Sequence, residues 1–414
     1  MTSRRDEWIQ RRKLHTMIIT TDLHLHSHYS KMDSVPLEFS VLAKNAAMKG
    51  ITVLGTGDCF QSDWLNSIKR LEQIDEGTFR YGPTYFILTS EIETNDKVHH
   101  LLLFPNMQSI YSLKHKLKSS SSFSSGRPNL NVSSKDLARL AIDEQVLMGP
   151  AHIFDPFKGL YAKYQTLTEC YDEYAPSISF VELGLGADTY HADTIKELHT
   201  YTYLSNSDTH NPHPIRLARE FTRFEVKEIS FSEIQHAITR KRGNRPVLNA
   251  GIPSEEGKYY QTGCPRCHTN YTYDAASAMQ WKCNCGSRIV KGIKDKIQEQ
   301  AQYKKPQHPY HRPFYLPLYP LHEIITRTLD EKNPFVPTVQ IHWERLISTF
   351  GSELYVLLET PIHNIAQVSL PSIAEAIQAF RLATITFQPG GAGLYGDISI
   401  PWEEPSLLYE LYNE

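Results

Sequence analysis

Asp22, His24 and His26 close the segment IITTDLHLH, and on an extended strand the HxH pair sends both imidazoles to one side. Residues of the same chemistry follow in order: Asp33, Asp58 in TGD, Glu91 and Glu93 in SEIE, the pair His99–His100, His152 in PAH, Glu182 in VELG, and Asp208 and His210 in SDTH. Imidazoles mixed with carboxylates suit zinc, manganese or iron, and carboxylates can bridge several ions. Two cations ~3.5–4 Å apart clamp the attacking and leaving oxygens of a phosphate ester and supply hydroxide near neutral pH. The set therefore predicts phosphoester hydrolysis. A lone His or Asp in a loop is ordinary, and a bare HxH has little specificity. The inference rests on the ordered series.

These residues need elements to bring them together. IITTDLHLH, ITVLGTGD, TYFILTSEIE, VHHLLLFP, VLMGPAH, ISFVELG and YLSNSD read as strands or strand ends. Between the first two, Ser34 caps a helix, Pro36 sits near its first turn, Leu37, Val41, Leu42 and Ala46 form its apolar stripe, and Gly50 closes it. A second helix starts near Ser134 with Leu137, Leu140 and Ala141 on one face. This alternation predicts an α/β fold of right-handed parallel units, a barrel or a doubly wound sheet. Strand ends of a parallel barrel converge on one mouth, so the scattered residues would share a pocket. His99–His100, at a strand start, is the exception. KSSSSFSSG, around Ser119 to Gly126, reads as a polar loop with no chemistry of its own.

A second cluster is local. Cys264-x-x-Cys267 and Cys283-x-Cys285 flank residues 268–282, close to the spacing of a structural four-cysteine zinc site. Gly286 can accommodate the tight second knuckle, and His268 is a spare ligand. Lys282, Arg288, Lys291, Lys294, Lys296, Lys304 and Lys305 follow, and Arg240, Lys241, Arg242 and Arg245 precede. Tyr259, Tyr260, Tyr271 and Trp281 are interleaved, a mixture that suits phosphates and stacked bases. A solvated face is the ordinary reading of such a run. Gly390, Gly391, Gly393 and Gly396 in PGGAGLYGD could bring amides to a phosphate, although the loop lacks the GK[ST] of a P-loop.

The bulk properties set limits. A chain of 414 residues can form two or three units. The net charge of −3 gives no global attraction to a polyanion, and six cysteines are too few for a disulfide scaffold. No apolar run approaches the ~18–20 residues of a membrane span. The leader MTSRRDEWIQRRKLHT lacks the apolar core of a secretory signal, and Met17 is an alternative start. The reading is a cytoplasmic protein with a leader over 1–16, a metallo-phosphoesterase domain over 17–250, a zinc-binding domain over 251–290 and a helical DNA-binding region over 291–414.

LHLHSHYSKMD, TGD, SEIE, VHHLLLFP, PAH and SDTH resemble the ordered motifs of PHP-domain phosphoesterases over about residues 17–220. That resemblance implies a distorted seven-stranded β/α barrel, followed here by a small zinc-ribbon-like domain and the helical C-terminal region. It implies metal ligation by His24, His26, Asp33, Asp58, Glu91, His99, His152, Asp208 and His210. Asp208, Glu91 and Glu182 are the candidate catalytic residues; Glu182 stays open as ligand, base or substrate contact. TGD stands where the family often has TDH, so Asp58 offers oxygen in place of nitrogen. The His99–His100 pair leaves the ligand open, with spacing favouring His99.

From Met17 onward, GKYYQTGCPRCH, RPFYLPLYPLHEII, PGGAGLYGDI, VELGLGADT and SDTHNPHPIRLARE resemble the endonuclease Q family. The resemblance implies a DNA repair endonuclease that cuts on the 5′ side of hypoxanthine, uracil, xanthine or abasic sites. It implies Zn2+ in the barrel and in the cysteine site, with Mg2+ or Mn2+ as catalytic alternatives. Damaged DNA is the expected partner, a sliding clamp or other repair factor a candidate one, and the protein a monomer. A damaged base would be extruded into a pocket. Phe154, Phe157 and Tyr161 are candidates for its wall, and equally for ordinary core aromatics. The competing readings are a phosphatase acting on a small phosphomonoester such as histidinol phosphate, and a non-catalytic scaffold with a degenerate metal site.

Overall fold

The computed structural model describes residues 16–30, 37–117, 123–382 and 384–400. Asp33, Ser34, Pro36 and the leader through residue 15 lie outside the described residues. Strand β1 (Met17–Asp22) leads through a helix over Phe39–Lys49 to β2 (Val53–Gly55). The meander β3 (Glu72–Gln73), β4 (Thr78–Tyr81) and β5 (Thr84–Ile87) precedes β6 (Thr89–Glu93) and β7 (His99–Leu103). Then come β8 (Leu147–Pro150), β9 (Val181–Glu182), β10 (Tyr203–Leu204), β11 (Phe221–Val226) and β12 (Arg245–Gly251). The cysteine segment holds β13 (Gly263–Cys264) and β14 (Thr269–Asn270), and β15 (Phe314–Pro317) follows it. Helices fill Leu321–Arg381, and β16 (Thr386–Gln388) pairs with β17 (Asp397–Ser399).

The α/β class holds, but the seven-stranded parallel barrel is not what the ladders form. Among the described residues they make an eight-stranded sheet, β15-β12-β11-β1-β2-β5-β4-β3, a separate three-stranded sheet, β6-β7-β8, and the pair β10-β9. No ladder closes them into a ring. Neighbours β1–β2, β2–β5, β9–β10 and β12–β15 are parallel, whereas β1–β11, β11–β12, β6–β7 and β7–β8 are antiparallel. TYFILTSEIE, expected as one strand, breaks at Leu88, where the chain leaves the large sheet for the smaller one. Isolated hydrogen bonds join the pieces: Phe104 N to Leu88 O (2.9 Å), Ile153 N to Glu182 O (2.9 Å) and Ser205 N to Thr222 Oγ1 (2.9 Å). The sequence reading missed β11, although Thr222 to Val226 alternate buried and half-buried in the period-2 manner of a strand.

The first helix begins at Phe39, later than expected. It buries Phe39, Leu42, Ala43 and Ala46, while Val41 is 39% exposed. Gly50 ends it in the left-handed region, its N–H bonded to the carbonyls of Ala46 and Ala47. The second helix, Ser134–Asp143, is capped by the Ser133 hydroxyl, which accepts from Asp136 N. Lys49, the last residue of the first helix, points into the C-terminal helices. Its buried ammonium donates to Glu353 Oε1 (2.6 Å) and to the Pro214 carbonyl (2.8 Å). Trp343 Nε1 and Leu321 N also donate to Glu353, at 2.9 and 3.0 Å. Two buried ions cost several kcal/mol each to desolvate, and these added bonds offset that. One apolar core therefore runs from Leu42 through Leu346 to Phe380. No helix among the described residues is long and apolar enough to cross a membrane.

Candidate metal centres

β1 and β2 run parallel, so the segments that follow them, Leu23–Ser27 and Thr56–Asp58, leave the sheet on the same side. Leu25 bridges to Thr209, which sets His24 and His26 beside Asp208. Three site residues, Asp58, His152 and Asp208, hold positive φ of 48°, 29° and 48°. Non-glycine residues seldom adopt such angles, and they concentrate at functional sites. Gly184 permits one of them, because a Cβ there would lie 2.5 Å from His152 Cβ.

Two groups of donors result. Single atoms from His24, His26, Glu91 and Asp208 lie within 4.8 Å of one another, and so do atoms from Glu91, His99 and His152. Glu91 belongs to both, as a carboxylate bridging two ions would. Its oxygens lie 2.7 Å from His99 Nδ1, 2.9 Å from His152 Nε2 and 3.2 Å from His26 Nε2. His24 Nε2, His26 Nε2, His152 Nδ1, Asp208 Oδ1 and His210 Nδ1 are buried without a hydrogen-bond partner. Buried polar atoms are rarely left so, and those on His24, His26 and Asp208, within one donor group, fit a cation. The electrostatics agree. Against the upward push of burial, His99 and the neighbouring imidazoles of His152, His24 and His26 hold the Glu91 carboxyl far below its ordinary range. Against the downward push of burial, Glu182 and Asp208 raise His24, and Asp58, Asp208 and Glu91 raise His26.

Other expected residues stand behind the donors. Asp58 accepts from His26 Nδ1 (3.0 Å), Ser27 N (2.7 Å), Ser27 Oγ (2.6 Å) and Ser30 Oγ (2.6 Å), and it is in neither group. Glu182 accepts from His24 Nδ1 (2.9 Å), His152 N (2.9 Å) and Asn206 Nδ2 (2.8 Å). Both carboxylates thus orient imidazoles through the ring nitrogen facing away from the centre. His210 stacks on His26 with centroids 4.4 Å apart. His99 enters the site and is held from behind by Glu93 (3.1 Å). His100 turns away to Ser134 and Tyr171, and burial pushes it down to about 3. Asp22 binds Ser207 and the Ala218 amide.

Sequence reasoning missed Arg127, whose Nη1 lies 3.2 Å from Glu91 Oε2. It follows the serine-rich loop that had been assigned no chemistry. Gly126 packs so tightly that a Cβ there would lie 2.2 Å from Asp58 Oδ2. A cavity of about 350 Å³ opens beside the donors, with His99, Arg127, His152, Asp208, Phe157 and Tyr259 among its walls. Phe157 is 44% exposed and meets Tyr259 edge-on at 5.1 Å. Phe154 is buried but also lines this cavity, whereas Tyr161 is a core residue that donates to Glu197 (2.7 Å). Lys258 and Tyr395, also on the walls, carried no sequence signal beyond the motifs around them.

In the second cluster all four thiol sulfurs lie within 4.8 Å and none forms a disulfide. Cys264–Cys285 and Cys267–Cys283 are 3.6 and 3.4 Å apart. The frame is the hairpin β13–β14, a helix over Tyr273–Ala278 and the turn at Gly286, a smaller set than a full ribbon. Against the upward push of burial, the Cys267 and Arg266 amides lower the Cys264 thiol. Despite a bond from Ser287, burial and the other thiols raise Cys285 to about 11. Four sulfurs this close fit a cation. His268 is not among them, its Nδ1 donating to Ala392 O (2.9 Å). The glycine loop is also occupied: Gly390, Gly393 and Gly396 donate to the carbonyls of Glu255, Lys258 and Glu256. Those amides are not free for a phosphate.

An α/β fold that gathers two donor groups around a shared buried carboxylate, at the wall of an open cavity, defines a metal-dependent hydrolase. The chain is similar to the lesion-specific endonuclease PfuEndoQ from Pyrococcus furiosus, with 43% identity, a TM-score of 0.88, and coverage of 94% of this chain and 96% of that one. A structure of Endonuclease Q with a 27-mer duplex carrying an abasic lesion at its active site matches equally, with 43% identity, a TM-score of 0.88 and coverage of 93% and 97%. The chain belongs to the endonuclease Q family. Residues 320–384 match the family described as the MJ0043 C-terminal domain. The uncharacterized protein MJ0043 of Methanocaldococcus jannaschii is 40% identical over 252 residues, 59% of this chain, and the chain spans 31% of its length.

Proposed function

We propose that this protein is a DNA repair endonuclease that hydrolyses the phosphodiester on the 5′ side of a deaminated base or an abasic site. The observation that carries the reading is the pair of donor groups sharing Glu91, next to a cavity with cationic and aromatic walls. Membership of the endonuclease Q family supports it. His24, His26, Glu91 and Asp208 would hold one cation and Glu91, His99 and His152 a second, with His210 and Asp33 as further ligands. Zn2+ suits this nitrogen-rich set, and Mg2+ or Mn2+ are the catalytic alternatives. Bound divalent cations supply Lewis acidity to the phosphoester and lower the pKa of water.

The chain's own residues do the rest. Glu182 and Asp58 hold the imidazoles of His24 and His26 in one orientation and tautomer. Arg127 offers a cation to the phosphate. Phe157 and Tyr259 offer faces to an extruded base, which costs least to unstack when it is mispaired. The four cysteines would hold a structural Zn2+, which leaves 17–250 as the catalytic part, 251–290 as the zinc-binding part and 291–414 as the DNA-binding part. Six free cysteines fit a reducing, cytoplasmic setting. The test is a nicking assay on end-labelled duplexes carrying uracil, hypoxanthine, an abasic site or normal bases only, with Mg2+ or Mn2+ and a chelator control. Metal-dependent cuts confined to the 5′ side of lesions are expected. Intact DNA, with phosphate released from small monoesters, would replace this reading with the phosphatase.

A further inference from the structure

A second cavity, of about 400 Å³, lies against the one beside the donors. The two share Phe154, Asp155, Pro156, Phe157 and Ile293, so the segment Phe154–Phe157 is a ridge with one cavity on each side. On the far side the charged lining is Lys163, Arg288, Lys291 and Lys296 against Asp155 alone. The carboxylate is already engaged, with Oδ1 accepting from Phe157 N (2.9 Å) and Lys158 N (2.7 Å). Lys291 and Lys296 share Glu299, at 2.5 and 3.8 Å, while Lys163 and Arg288 form no ion pair among the described residues. Lys291 Nζ also sits 4.8 Å from the centre of the Trp281 ring, which lines the same cavity. Two walls of different origin meet here. Lys163 follows the ridge downstream of His152, whereas Trp281 through Lys296 surround and follow the last two cysteines.

We infer that this basic cleft is a phosphate track for the damaged DNA strand, receiving the backbone as it crosses the Phe154–Phe157 ridge away from the cut. The inference rests on the endonuclease reading and adds a role for the cysteine unit, which anchors one wall of the track. Cations that escape ion pairs in a chain of net charge −3 mark where a polyanion docks, because each neutralised phosphate releases a counterion. The partly buried indole supplies an apolar floor on which a base or sugar of the same strand can rest. The shared ridge gives continuity: a strand whose scissile phosphate lies at Glu91 and Asp208 needs to travel only over Pro156 and Phe157 to reach Lys163 and Arg288.

The test is the salt dependence of binding to a fluorescein-labelled duplex carrying one abasic-site analogue. It is read by anisotropy in an Asp208→Ala background, with and without Lys163→Ala plus Arg288→Ala. Losing two phosphate contacts should weaken binding roughly tenfold at low salt and flatten the slope of log K against log salt by about 1–2. Lys163→Arg plus Arg288→Lys should restore both, which separates a charge effect from misfolding. In the wild-type background, the double alanine variant should nick more slowly at sub-saturating protein, in step with its lost affinity, and an unchanged rate there would count against the track. Unchanged affinity and slope in a protein whose wild type nicks lesions would overturn the track and leave the cleft to an acidic protein partner. Weakened binding with an unchanged slope would overturn it too. Absence of lesion nicking by the wild type would sink the endonuclease reading itself, a distinguishable result.

Discussion

The cysteine cluster draws its four donors from residues 264–285, whereas the donors around Glu91 are spread from His24 to Asp208. The first is closed by one hairpin, one short helix and the turn at Gly286, with little loop entropy to overcome. The second exists only after β1, β6, β7, β8 and β10 have taken their places in three different sheets. A local site can fold around its ion and then act as a rigid prop. A dispersed site inherits its geometry from the frame, and its reward is a shared carboxylate and an open cavity, where substrate can enter.

Breaking one site at a time should separate them. Asp208→Ala should lower lesion cleavage roughly a thousandfold or more, while DNA affinity and melting temperature change little. Nicking and anisotropy measured on one preparation check this, and retained activity would remove Asp208 from the centre. Glu353→Ala strikes the frame instead. It strands the Lys49 ammonium in the core and should cost about 3–5 kcal/mol of stability, read by denaturant unfolding. The dispersed site should fail with the frame, while the cysteine site still binds Co2+ with its thiolate absorption band. Cys264→Ser with Cys267→Ser should do the reverse. About one zinc per chain and roughly tenfold in DNA affinity are lost, with single-turnover cleavage at saturating protein largely kept. Unchanged zinc content would refute the structural ion.

The smallest effect concerns Glu220, a fully buried carboxyl with an unpartnered oxygen. Burial raises it from an ordinary 4.5 to about 8. The folded state therefore holds a proton that the unfolded chain releases above its own pKa. Stability from this group is complete below about pH 4.5 and is lost as pH rises through about 8. Glu220→Gln should raise the melting temperature at pH 8 by a few degrees and change it little at pH 5. Equal shifts at both pH values would mean that the carboxyl is paired.

Legibility followed the same division between local and dispersed. HxH, SEIE, PAH and SDTH are short, and strand periodicity alone puts alternate side chains on one side, so the residues that gather at the cavity could be selected without coordinates. The cysteine spacing was plainer still, because its frame lies within one segment. The sequence did not reveal that Asp58 and Glu182 stand behind the imidazoles. That depends on which oxygens the amides of Ser27 and His152 already occupy. Nor did it reveal Arg127, carried by a loop whose composition says only that it is polar.

By itself, then, the sequence determined the chemistry of both clusters, the α/β class and the strand ends that carry the donors, since residue type and period-2 spacing act over a few residues. Only the tertiary structure decided which strands pair and in which direction. It also turned His99 inward and His100 toward Ser134, and set the basic cleft against the cavity beside the donors. Those choices depend on contacts between segments a hundred or more residues apart, such as Lys49 with Glu353 and His24 with Glu182. Neither partner of such a contact carries any local mark of the other.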